Sequence, residues 1–184
     1  MRKTKAFLMR SFALGALLAL VFVSPMFGQD ANNQQPVYAA GKPETVLSGI
    51  DVCSTPMWKV YDRLGVPQRT EHPRIQPEYI WERGRVRLIA SEYYYLDGLV
   101  PNWVEVSGKA PVGDIGKTGR GLALGATLSD VRRIYGGNFP VDVYRGVRQV
   151  VIEWEKSSEV LYITLDKKDR VVGIKLQAGF CNPP

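Results

Sequence analysis

Few residues in this chain have the type and spacing of reactive groups. His72 is the only histidine, in the run Glu71-His72-Pro73. A general base needs a partner within hydrogen-bond reach, and the sequence around His72 offers no nucleophile. No serine occupies a Gly-x-Ser-x-Gly turn. Two cysteines and one histidine cannot build a Cys-rich metal site. Carboxylate pairs for glycoside chemistry need only proximity in space, and no spacing argues for one. Gly116-Lys117-Thr118 has the ending of a phosphate-binding loop, but Pro111 stands where the earlier glycine is required. Gly119-Arg120-Gly121 then follows in place of a helix. The expectation is a non-enzymatic protein with no cofactor and no metal.

Binding residues are easier to nominate. Ser91-Glu92 leads into Tyr93, Tyr94 and Tyr95. Tyrosines supply large contact area at small entropic cost and are enriched at binding hot spots. On an extended strand Tyr94 faces one side, and Tyr93 and Tyr95 the other. Trp103 belongs to the next strand. These four residues are the expected partner-binding surface; the alternative is that the rings pack a core or a seam. Arg85 and Arg87 alternate with apolar residues and should face solvent. Lys167 and Lys168 read as a solvated hairpin tip.

The start of the chain has the form of a targeting segment. Arg2, Lys3, Lys5 and Arg10 precede an apolar run from Phe12 to Val23, which Ser24 and Pro25 end. That run is short for a bilayer span, which needs roughly 20 residues. Residues 1–28 are therefore expected to be a signal peptide; an uncleaved anchor is the alternative. Four of the 24 basic residues and none of the 18 acidic ones lie in it, so the rest of the chain carries about +2. That balance gives no support to nucleic-acid binding, which needs a concentrated basic face. Cys53 and Cys181 are an even count in an exported chain, which suggests one disulfide. Two free thiols are the alternative.

The remaining residues must position these groups. Residues 29–46 are polar, small and Pro-containing, and read as a flexible leader. Ser54 or Thr55 can cap a helix with Pro56 in its first turn, and Met57, Val60, Tyr61 and Leu64 share one face. Gly65 ends that helix. Tyr79–Glu82, Val86–Ala90 and Trp103–Val106 read as strands, with Pro73 and Pro77 in the loop before them. Residues 111–120 read as a Gly-rich linker. Thr127 then caps a second helix, with Asp130 completing a capping-box-like pair and Gly136 as its stop. Val150, Ile152 and Trp154, then Leu161, Ile163 and Leu165, then Val172, Ile174 and Leu176, mark three inward-facing strand edges.

The second half echoes the first at an offset of about 70 residues. Val131 to Gly136 echoes Val60 to Gly65, Trp154-Glu155 echoes Trp81-Glu82, and Leu165-Asp166 echoes Leu96-Asp97. Trp81 and Trp154, repeated in register, should be core residues. The expected fold is α+β: a tandem duplication of a helix plus a three-stranded antiparallel sheet, with the helices on one face. Unit one spans 47–110, and unit two with a C-terminal tail spans 121–184.

The pattern Gly125-Ala-Thr-Leu-Ser-Asp-Val131, Tyr135-Gly136, Trp154 and Leu165-Asp166 through Arg170-Val171 resembles the small units of the SmpA/OmlA (BamE-like) envelope proteins. A tandem pair of them resembles the β-lactamase-inhibitor-protein fold. The lipid-carrying Cys of the envelope lipoproteins is absent here. The resemblance implies protein–protein contact without chemistry, either in envelope assembly or in inhibition across a concave sheet face. The expected function is thus an exported interaction module of the bacterial envelope, periplasmic or extracellular, with an unidentified envelope or secreted protein as partner. It would have no stable membrane span after signal cleavage. The alternative is a glycan or small-molecule binder using aromatic residues on the open sheet face.

Overall fold

The computed structural model describes residues 37–72, 76–92 and 100–179. A short hairpin, β1 (Val46–Leu47) and β2 (Ile50–Asp51), leads into helix α1 (Met57–Leu64). Strands β3 (Arg69–Glu71), β4 (Glu78–Arg83), β5 (Val86–Glu92) and β6 (Pro101–Ser107) follow. Helix α2 (Leu128–Tyr135) then precedes β7 (Asp142–Tyr144), β8 (Val147–Glu153), β9 (Glu159–Leu165) and β10 (Val171–Ala178). From β3 onward the strands form one eight-stranded antiparallel sheet, ordered β3-β4-β5-β6-β10-β9-β8-β7. Two meanders meet at its centre, where β6 and β10 pair from Trp103–Gln177 to Ser107–Gly173.

This architecture corrects the α+β expectation. The chain is mainly antiparallel β, with two eight-residue helices against one continuous eight-stranded sheet. A helix plus three strands is not its building block. Of the strands that sequence patterning missed, β3 and β7 are three-residue edge strands, largely exposed, with no buried residue. Such segments bury no side chain and so carry no alternation signal. Among the described residues no helix is long and apolar enough to cross a membrane. The expected signal peptide, residues 1–28, lies outside the described residues.

The two helices start differently. Thr127 Oγ1 accepts from the Asp130 N–H (3.3 Å), and the Asp130 carboxylate accepts from the Thr127 N–H (3.0 Å), closing the anticipated capping box. Gly136 ends α2 in the left-handed region at φ 72°, where a Cβ would be strained. At α1 the expected side-chain cap is absent. Pro56 is the N-cap, and Thr55 Oγ1 accepts instead from the Asp51 N–H (2.9 Å) at the end of β2, across the strand-to-helix turn. Helices this short are marginal alone. Their stability comes from Met57, Val60 and Leu64 on α1 and Val131 and Tyr135 on α2, all buried.

The Asp130 carboxyl is held down to about 2 from an ordinary 3.8, chiefly by the Arg133 guanidinium and then by the Thr127 N–H and hydroxyl. A depressed carboxylate stabilises the fold above its unfolded pKa and loses that contribution as pH falls toward the folded value. Separately, loss of the N-cap hydrogen bond in Thr127→Ala should cost about 1 kcal/mol. The stability difference between wild type and Asp130→Asn should shrink as pH drops from about 4 toward 2. Urea titrations at several pH values read both effects.

The core lies between the helices and one sheet face. Leu88, Val104, Val106, Ile152, Leu161, Ile163, Ile174 and Leu176 join the helix residues in one buried cluster. Trp81 and Trp154 belong to it, as their repetition predicted. One strand departs from simple alternation. A bulge in β10 between Val171 and Gly173 puts Val171, not the expected Val172, in the core.

Two segments expected to be pliant are built into this core. From Val37 the segment read as a leader runs along the sheet: the Ala39 N–H donates to the Glu153 carbonyl (2.9 Å) and the Ala40 N–H to that of Tyr135 (3.2 Å). Glu44 is only 3% exposed. Its carboxylate accepts from the backbone N–H groups of Val46 (3.2 Å) and Arg120 (3.1 Å) and from the Tyr135 hydroxyl (3.2 Å). Thr118, within the segment read as a linker, accepts the Leu122 N–H at 3.1 Å, and its own hydroxyl donates to the Tyr135 oxygen (3.1 Å), whose one proton goes to Glu44. The Arg120 guanidinium reaches back to the Ala40 and Lys42 carbonyls. Gly116 is explained by packing rather than by phosphate. Its N–H donates to Ser48 Oγ (3.0 Å), its φ is 90°, and a Cβ there would meet Leu124 Cδ1 at 2.8 Å.

Candidate interaction face

The side of the sheet away from the helices carries the polar half of each alternating strand. Register places three rows across it. One runs Ser91, Trp103, Gln177, Val160, Glu153 from β5 to β8. The next runs Ile89, Glu105, Lys175, Tyr162, Val151. The third runs Arg87, Ser107, Gly173, Thr164, Gln149. This face is narrower than a fully open one, because Ile80, Ile89 and Ser91 are buried at its β4–β5 side. The accessible part is the central strip over β6, β10, β9 and β8, where these side chains are mostly half-buried.

Trp103 is the sequence-nominated residue that this face retains. Its ring lies under the Lys175 ammonium, with Nζ 4.4 Å from the ring centroid, a cation–π contact that fixes both side chains. Glu105 stands opposite Lys175 in register, yet among the described residues it makes no ion pair. Next to it is a shallow depression of about 270 Å³, lined by Glu105, Gln149, Tyr162, Thr164, Lys175 and Gln177. The site therefore combines two aromatic rings, one free carboxylate, one ammonium and several amide and hydroxyl groups. Such a set offers contact area and hydrogen bonds.

Tyr93, Tyr94 and Tyr95 lie outside the described residues. The participants that sequence reading missed are Glu105, Tyr162 and Lys175. Their signal was present: each sits between two inward-facing apolar residues, so each had to face outward.

The other nominated groups have structural roles. Tyr61, Tyr79 and Trp81 form an aromatic cluster beneath α1, with ring centroids 5.8–6.4 Å apart. Tyr135 packs edge-on against Trp154 at 6.1 Å under α2. Burial pushes the Tyr135 hydroxyl well above the ordinary tyrosine range, so it remains a neutral donor. His72 is exposed at the end of β3. No group of His, Cys, Asp or Glu among the described residues could hold a metal ion. Cys53 is half-buried against the core with φ 65° and is not a free thiol. Its expected partner Cys181 lies outside the described residues.

No family model matches this chain, and no curated protein does. Among solved structures, it is similar to a DUF4309-family protein (YjgB) from Bacillus subtilis. The TM-score is 0.45 and the identity 13%, over 71% of this chain and 82% of that one. A cysteine-rich secretory protein (SAV1118) from Staphylococcus aureus gives a TM-score of 0.45 at 12% identity, over 67% of this chain and 44% of that one. The match thus spans less than half of the staphylococcal chain. Neither is described as a BamE-like or β-lactamase-inhibitor protein.

Proposed function

We propose that the chain is an exported, non-enzymatic interaction module whose partner protein docks on the central strip of the sheet, over Trp103, Glu105, Tyr162 and Lys175. The observation that carries this is the asymmetry of the sheet. One face is sealed by two helices and the packed 37–55 and 111–126 segments, while the other presents a pre-arranged aromatic and charged strip. Rigid aromatic anchors cost little entropy to order, which is the property expected of a docking surface. A disulfide between Cys53 and Cys181 belongs to this reading, since an exported protein meets an oxidising compartment.

The test is capture from an envelope extract with the purified chain, followed by mass spectrometry. A single enriched protein, lost at least tenfold on Trp103→Ala with Tyr162→Ala, is the expected result. Retention of that protein by the double variant would remove the strip from consideration. A further variant with Tyr93, Tyr94 and Tyr95 changed to serine asks whether that segment adds to the same surface. The second reading, a glycan or small-molecule binder, draws on the depression beside Trp103 and Tyr162. A tryptophan fluorescence change with envelope glycans, and no enriched protein, would favour it.

A further inference from the structure

A second surface is set apart from that strip by its charge. The turn between β9 and β10 and the segment after β6 enclose a cleft of about 490 Å³, lined by Lys109, Asp166, Lys167, Lys168, Arg170 and Val172. The four cationic residues are all exposed. Among the described residues none of Lys109, Lys167 and Lys168 is in an ion pair. The acids of the turn are already engaged. Asp166 Oδ1 accepts from the backbone N–H groups of Lys168 (2.7 Å) and Arg170 (2.9 Å), and Asp169 takes the Arg148 guanidinium at 2.6 Å. The Arg170 N–H, above all, holds the Asp166 carboxyl below its ordinary range. The carboxylate shapes the turn, and its single charge, felt by Arg170 and Lys168, offsets only part of the four cations around it.

The basic rim extends beyond the cleft. Gly108, which donates to the Val172 carbonyl (3.0 Å), joins it to a second recess lined by Arg85 and Arg87 together with one acid, Glu82. The opposite ends of the strands carry Glu78, Glu153 and Glu159 instead. With only about +2 outside the signal-like segment, a cluster of unpaired cations at one end is a local concentration, not a general surplus.

We infer that this end of the sheet is a binding site for phosphate-type anions, with Lys109, Lys167, Lys168 and Arg170 as its donors. Lysines are point-charge phosphate binders and the arginine adds a planar donor set. The phosphate group could be free in solution or displayed on an anionic lipid, and the cleft would meet the same chemistry in both cases. This site does not depend on the reading of the sheet face.

The experiment measures binding of the purified chain to vesicles of phosphatidylglycerol in phosphatidylcholine and, separately, to inorganic phosphate. The Lys109→Ala, Lys167→Ala, Lys168→Ala triple variant should bind at least tenfold more weakly. A control triple, Lys42→Ala, Lys59→Ala, Lys156→Ala, removes the same charge from exposed positions elsewhere and should change binding less than twofold. Binding should weaken as salt rises. Vesicle binding that millimolar phosphate does not displace identifies a surface-bound headgroup as the source. Phosphate binding with no preference for vesicles identifies a free anion. Binding of neither probe, or equal loss in both triples, overturns the inference. Thermal melting of both variants confirms that each is folded.

Discussion

Trp81→Ala should cost about 3–5 kcal/mol of folding stability, the range for removing a large buried ring. A domain of this kind has about 5–15 kcal/mol in total, so the variant should be poorly folded at 37 °C. The ring does two jobs. It fills the space between α1 and β4 against Tyr61 and Tyr79. Its Nε1–H also donates to the Gly65 carbonyl (2.8 Å), and beside it the Arg83 guanidinium donates to the Leu64 carbonyl. The orphan acceptors at the end of α1 are thus satisfied by side chains of β4. Trp154, its counterpart in the second half, is also buried, but its Nε1–H has no partner among the described residues. The two tryptophans should therefore separate on conservative replacement. Trp81→Phe loses a hydrogen bond as well as volume, and should cost about 1 kcal/mol more than Trp154→Phe. Urea denaturation of the three variants measures this; equal costs for the two Phe variants would contradict the assigned role of the Gly65 contact.

Glu44→Ala should be nearly as damaging, by a different route. The carboxylate is the acceptor for Val46, Arg120 and the Tyr135 hydroxyl in a site closed to water. Its removal leaves those donors without an acceptor, at roughly 1–3 kcal/mol for each buried group that stays unpaired. The total expected is on the order of 3 kcal/mol or more. Tyr135→Phe deletes one contact and keeps the carboxylate, so it should cost about 1–2 kcal/mol. The ordering Glu44→Ala worse than Tyr135→Phe is the checkable result, again by urea denaturation. The reverse ordering would mean that the network is held by Thr118 and Arg120 rather than by Glu44.

What the sequence made legible follows from what carries a local signal. Helix α2 was readable because Thr127, Asp130 and Gly136 act within one turn of its ends. Strands β5, β8 and β9 were readable because Val86, Leu88, Ile152 and Ile163 alternate with polar residues. The three-residue edge strands β3 and β7 have no buried side chain and were not. Residues 37–46 and 111–120 read as pliant because their small and polar residues form no periodic face. Their order depends on Glu44 meeting Tyr135 and on Ser48 meeting Gly116, contacts between residues 91 and 68 positions apart. No window of neighbouring residues contains such information. The bulge at Val171 likewise depends on pairing with Leu165 and Thr164, not on β10 alone. Trp103 was nominated for its type; its companions Glu105, Tyr162 and Lys175 came together only once the strand order put β6 beside β10.

One rival to the sheet face lies on the helix side. Trp58 of α1 is 59% exposed, with the Lys59 ammonium 5.3 Å from its ring centroid. Site-specific photocrosslinking in the producing cell separates the two. A photoreactive amino acid placed at Thr164 or Gln177 reports the central strip; one placed at Asp62 reports the exposed side of α1. An adduct formed from Thr164 and Gln177 but not from Asp62 is the predicted result. An adduct formed only from Asp62, or equally from all three positions, would contradict docking on the open face of the sheet.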